Sequence, residues 1–330
     1  MRKLRIAGIV LLCVVLLVVI GLTIMKVTLD ASYFNGYDPS APLESAVTET
    51  SEKPTHKVEK LYFNGFHGDR VPTLLLTPND APRPLPCVIF LHGIGQDKEF
   101  ILQDFSGRTV ADPFLNVGFA FVTFDQLMRG ERRIKTGSFL DEAKAFRMRP
   151  AYTVNDTRRL IDYLQTRDDI AKNRIYLAGA SYGAITGSTV AAFDKRVRAV
   201  VLTYGGGNVP KMLTARMIAD EVRKRHVPLG ILQFAGWYLL SASDPARYID
   251  RIAPRPVFLQ NGTNDGLIAT EAAKALQDAA RQPKTIKWYE GDHIGTDVKT
   301  VFIVLGDIVD FLKEQDAKIV AAEPAQKPVS

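Results

Sequence analysis

The pentapeptide Gly179-Ala180-Ser181-Tyr182-Gly183 restricts the backbone more than any other stretch of this chain. It stands between an apolar run, Ile175-Tyr176-Leu177-Ala178, and a segment from Ala184 to Val190 that can form a helix. A G-x-S-x-G between a strand and a helix predicts a sharp turn that lifts the serine hydroxyl above the end of a sheet. The glycines are a steric requirement, because so tight a turn brings backbone to where a side chain would stand. Strand, turn and helix in that order point to an α/β architecture.

The rest of the chain agrees. Candidate strands fall at residues 58–63, 71–76, 87–91, 119–124, 175–178, 199–203, 256–260 and 285–289. The first two flank the turn-rich Asn64-Gly65-Phe66-His67-Gly68-Asp69 and read as an antiparallel pair. Later strands alternate with helix-period segments at 157–165, 270–281 and 298–312; Leu160, Ile161 and Leu164 mark one face of the first. Short apolar strands separated by helices predict an eight-stranded, mostly parallel sheet with helices on both faces. Residues 205–248 break the alternation and carry Met212, Ile218, Leu232, Phe234, Trp237 and Leu240. They read as a helical lid above the carboxyl ends of the strands. The alternative is a helical pair that only packs on the core.

The N-terminus differs in kind. Arg2, Lys3 and Arg5 precede an uncharged run from Ile6 to Met25. Twenty helical residues span about 30 Å, the thickness of a bilayer's hydrocarbon core. The run is longer than a signal-peptide core, and Leu29-Asp30-Ala31 is a poor cleavage site, so residues 1–28 read as an uncleaved signal anchor. The basic residues before the run place the N-terminus in the cytoplasm and the rest outside. Residues 29–56, rich in Ser, Pro, Thr and Glu, read as a tether, 57–315 as the catalytic-type domain, and 316–330 as a disordered tail. Cys13 lies in the span and Cys87 in a strand, so the outer domain can form no internal disulfide. That composition leans toward a bacterial envelope rather than a eukaryotic secretory membrane. A net charge of +6 without a long basic run argues against nucleic acid as a partner.

A serine hydroxyl needs a base before it can act as a nucleophile. Of the five histidines, His56 falls in the tether, His67 in the first turn and His226 among Arg223, Lys224 and Arg225. His293, in Glu290-Gly291-Asp292-His293-Ile294-Gly295 after the last strand, can swing over Ser181. A third group must orient its imidazole. Asp265 stands just past the seventh strand, which makes the order Ser181, Asp265, His293. Asp292 competes but adjoins the histidine in sequence and points elsewhere. Donors for a developing oxyanion are the backbone N–H groups of Ile94, in Leu91-His92-Gly93-Ile94-Gly95, and of Tyr182. His92 reads as structural.

These four features in order resemble the α/β-hydrolase superfamily over residues 55–315. Asp125-Gln126-Leu127-Met128-Arg129-Gly130-Glu131 is also similar to a D-x-x-x-R-G segment of its dienelactone hydrolase, acetyl-xylan esterase and prolyl-oligopeptidase-like branches, where that segment is structural. Dienelactone hydrolases proper carry a cysteine where Ser181 stands, and prolyl oligopeptidases a propeller this chain has no length for. The resemblance implies a membrane-anchored serine hydrolase of small-molecule carboxylic esters, needing neither metal nor cofactor. A peptidase or amidase of the same fold and a non-catalytic binding scaffold are the alternatives. Acyl and alcohol specificity and oligomeric state are not legible.

Overall fold

The computed structural model describes residues 2–134, 138–294 and 297–322. Helix α1 (Arg2–Ala31) leads the chain. Within it Gly8–Ala31 is long and apolar enough to cross a bilayer, as a membrane anchor or a signal sequence would be. There follow β1 (Ala46–Glu52), β2 (His56–Asn64), β3 (Arg70–Pro78), β4 (Leu85–Leu91), α2 (Asp104–Leu115), β5 (Ala120–Phe124), α3 (Phe139–Thr166), β6 (Ile170–Ala180), α4 (Tyr182–Phe193) and β7 (Val197–Thr203). The insertion holds α5 (Val209–Met212), α6 (Arg216–Lys224) and α7 (Leu229–Leu240). The chain then returns to β8 (Val257–Gly262), α8 (Thr270–Ala279), β9 (Lys284–Tyr289) and α9 (Val298–Ala322).

The strands form one sheet in the order β1-β2-β3-β5-β4-β6-β7-β8-β9. The β1–β2, β2–β3 and β3–β5 pairs are antiparallel, and every pair from β5 to β9 is parallel. Because successive side chains of a strand leave opposite faces, neighbouring residues feed two separate cores. Ile89, Leu177, Val200 and Leu259 join one with α3, α4 and α8. Val88, Tyr176, Val201 and Phe258 join the other with α2 and α9. Every residue of β4 is buried, as befits a central parallel strand.

All eight expected strands are present, with a ninth, β1, inside the segment expected as a tether. Its sequence, AVTETSE, is polar and largely exposed, and it pairs only with β2 as an edge strand. The same segment sends Tyr33 and Phe34 into the core, where Phe34 packs 5.2 Å from Phe193 and 5.5 Å from Tyr248 between ring centres. So residues 29–56 are built onto the domain rather than strung between it and α1. At the other end α9 runs past residue 315. Asp316 pairs with Arg174 at 2.6 Å and accepts the Tyr176 hydroxyl at 2.8 Å. Of the expected tail, residues 323–330 lie outside the described residues, as does Gly295 of the histidine loop.

Candidate active site

Ser181 occupies the turn between β6 and α4 with φ +55° and ψ −116°, a conformation a non-glycine residue adopts only under constraint. Its N–H donates to the Thr203 carbonyl at the end of β7, 2.8 Å away. Its carbonyl accepts from Ala184 and Ile185. The glycines do what the sequence demands of them. A Cβ on Gly183 would stand 1.8 Å from the Leu91 carbonyl oxygen, and one on Gly179 2.2 Å from the Gly183 oxygen. Tyr182 opens α4, so its N–H is among those a helix leaves without an intrahelical acceptor.

Asp265 and His293 come from the loops that follow β8 and β9. His293 Nδ1 lies 2.7 Å from Asp265 Oδ2, with side chains 10% and 2% exposed. The other carboxylate oxygen of Asp265 accepts the N–H groups of Leu267 and Ile268. Asp265 meets the imidazole nitrogen, while Asp292 binds backbone N–H groups. It accepts the N–H of Gly266 and of His293, both at 2.7 Å, and pairs with Arg216 at 3.1 Å. Those two backbone hydrogen bonds hold its carboxyl below the usual carboxylate range. Tyr204, itself at φ +56°, sets its ring edge-to-face against His293 at 5.6 Å. Burial, with a smaller contribution from Asp265, pushes the Tyr204 phenol up to about 12.

Ser181 and His293 line the same cavity of about 480 Å³, together with Gly93 and Ile94. A Cβ on Gly93 would be 3.8 Å from Ser181 Cβ, so the loop after β4 lies directly against the serine. His92 is buried and its ring nitrogens lie 2.9 and 3.2 Å from the Gly93 and Phe124 carbonyl oxygens. It ties the loop to β5, and its burial pushes its pKa below the ordinary value. The Ile94 carbonyl accepts the Nε–H of Arg129, and Arg149 Nη2 stands 3.5 Å from it.

Arg129 belongs to the D-x-x-x-R-G segment, whose aspartate organises the turn. Buried Asp125 accepts from the Lys98 N–H, the Lys98 ammonium and the Glu131 N–H. Its carboxylate fills the space a Cβ on Gly130 would need. Sequence reasoning read this segment as structural and missed that Arg129 reaches the Ile94 loop; its position after β5 was the available signal. Arg149 was also missed. It is 2% exposed, lies 4.4 Å over the Tyr182 ring and faces a second cavity beside Ser181. That cavity, about 300 Å³, is walled by Tyr182, Ile185, Met212, Leu213 and Leu240, so residues of the insertion line a cavity that Ser181 also lines. Among the described residues no His, Cys, Asp and Glu side chains converge into a metal-holding group.

The alpha/beta hydrolase family model matches residues 88–329 of this chain. The Salmonella typhimurium protein YfhR is 24% identical over 308 residues, covering 89% of this chain and 88% of YfhR. Two solved structures are similar in fold. An acetyl xylan esterase from Paenibacillus sp. R4 superposes with a TM-score of 0.68 at 16% identity, over 86% of this chain and 93% of the esterase. Acetyl xylan esterase 1 from Thermoanaerobacterium sp. gives 0.66 at 19% identity, over 87% and 93%.

Proposed function

The chain belongs to the alpha/beta hydrolase family, and we propose that it is a serine hydrolase that cleaves carboxylic esters through an acyl-enzyme. One observation carries the reading: a 2.7 Å imidazole–carboxylate contact between His293 and Asp265 opens onto the cavity that Ser181 lines. The esterase neighbours support the same class.

In this reading Ser181 Oγ attacks the ester carbonyl carbon and His293 Nε2 takes the hydroxyl proton. Asp265, fixed by the Leu267 and Ile268 amides, holds the imidazole with its Nδ1–H toward the carboxylate and stabilises the imidazolium. Negative charge developing on the carbonyl oxygen is met by the N–H groups of Ile94 and Tyr182. The same proton then passes from His293 to the departing alcohol oxygen. Water, deprotonated by His293, releases the acid and restores Ser181. The clefts on either side of Ser181 give the acyl and alcohol groups separate places.

Turnover of p-nitrophenyl acetate and octanoate and of aminoacyl nitroanilides, by wild type and Ser181→Ala, tests this. The expected result is ester turnover by the wild type and a loss on the order of 10³-fold or more in the variant. Retained turnover in Ser181→Ala refutes it. No turnover of any member would favour a binding scaffold, and preference for the anilides a peptidase.

We also infer that α1 stays attached as an anchor with the domain outside the cytoplasm, from the Arg2, Lys3 and Arg5 charges before the span. Protease added to intact cells should digest the domain; full protection would reverse the orientation.

A further inference from the structure

Helix α7, LGILQFAGWYLL, is apolar but for Gln233, which donates to the Pro210 carbonyl, yet only one side is covered. Gly236 packs so closely on α5 and the turn after it that a Cβ there would stand 2.4 Å from Leu213. On the opposite side Ile231 and Phe234 are 61% and 64% exposed. A soluble surface rarely leaves such a face bare.

The same helix is fastened to α1. The Tyr238 hydroxyl donates to the Leu22 carbonyl at 3.0 Å. Lys26 is buried; its ammonium donates to the Tyr238 carbonyl, to Ser241 Oγ and to Asp30, and lies 4.9 Å over the Trp237 ring. Leu22 stands three residues, about 4.5 Å, inside the end of the uncharged run at Met25. Interfacial helices bury their apolar face at a depth of about 5–10 Å. Of the basic groups before α7, Arg223 and Arg225 are paired with Asp220 and Glu221.

We propose that α7 lies in the same bilayer as α1, in the leaflet on the domain's side, so that the cavity between α7 and Ser181 opens to lipid and receives the acyl chain of a membrane-dissolved ester. Leu240 of α7 walls that cavity, and Phe146, another wall residue, is 48% exposed. An acyl chain moves from lipid into the cleft without crossing water. The substrate half rests on the ester-hydrolase reading; the membrane contact does not.

The chain has two tryptophans, so Trp288→Phe leaves Trp237 as the only indole reporter. The full chain carrying this change is reconstituted in phosphatidylcholine vesicles, plain or with acyl chains brominated just below the headgroup. Bromolipid should remove roughly half or more of the Trp237 emission, as for an indole at interfacial depth. Equal emission in the two vesicles overturns the proposal, as does disulfide cross-linking of Phe234→Cys between chains, which would make α7 a contact between copies. The double variant Ile231→Ser, Phe234→Ser should lower turnover of a long-chain ester dissolved in the vesicles on the order of tenfold and leave that of a water-soluble acetate ester unchanged. Equal loss on both esters, or on neither, overturns acyl entry from lipid. No turnover of either ester refutes the hydrolase reading, while quenching still decides the membrane contact.

Discussion

Asp265 divides its carboxylate between His293 and its own loop: Oδ2 lies 2.7 Å from His293 Nδ1, and Oδ1 accepts the Leu267 and Ile268 N–H groups at 2.8 Å each. The group that orients the imidazole is thereby held by two backbone donors on a turn that β8 delivers. This arrangement makes Asp265 sensitive to the loss of one oxygen.

Asp265→Asn should keep the turn, with the amide oxygen accepting the two N–H groups. The amide nitrogen then faces His293 and turns the imidazole to the wrong tautomer. Steady-state kinetics at neutral pH should show kcat lowered about 10³–10⁴-fold with the melting temperature little changed. A loss below tenfold would mean that Asp265 does not orient His293.

Gly183→Ala tests the turn itself. A Cβ 1.8 Å from the Leu91 carbonyl oxygen cannot be accommodated without moving β4 or α4. The variant should lose about 3 kcal/mol or more, read by urea unfolding. Wild-type stability would show that the β6–α4 turn is looser than this packing.

The expected elements were legible wherever burial wrote a pattern into the sequence. Central strand β4 and the second half of β6, from Ile175 on, are continuous apolar runs, and the pentapeptide at Ser181 carries its own steric logic. The places of Ser181, Asp265 and His293 just after β6, β8 and β9 were readable because chain order and position after a strand are sequence properties. Strand β1 was not, because an edge strand with one paired side and a polar face has no alternation to show. The signal that residues 29–56 are packed was three aromatic side chains, Tyr33, Phe34 and Tyr37, of which the first two are buried in the core. Arg149 lies mid-helix in α3, and nothing in its neighbourhood in sequence distinguishes a buried arginine from an exposed one.

Arg129 should matter to catalysis more than to folding. Its Nε–H donates to the Ile94 carbonyl and so fixes the peptide next to the proposed oxyanion donor. A hydrogen bond from a charged donor contributes about 1.5–3 kcal/mol, so Arg129→Ala should lower kcat roughly tenfold or more, with a smaller change in KM. An unchanged kcat would separate Arg129 from the site.

Asp292 gives the histidine loop an acid limit. Its carboxyl is held below the ordinary 3.8 by the Gly266 and His293 N–H groups. A depressed folded value means the carboxylate stabilises the loop above pH 3.8 and that this is lost as pH falls through the lower value. Hydrogen-exchange protection of the Gly266 and His293 amides, taken against the intrinsic exchange rate at each pH, should therefore fall in that acid window. Asp292→Ala should show that low protection at every pH; wild-type protection in the variant would contradict the brace.

The central claim is that the Ser181 hydroxyl is a nucleophile made reactive by His293. Peptide mass spectrometry after treatment with a fluorophosphonate tests it most directly. The account predicts one phosphonyl adduct, on Ser181, absent from Ser181→Ala and strongly slowed in His293→Ala. An adduct on another residue, or equal labelling of the wild type and Ser181→Ala, would contradict it.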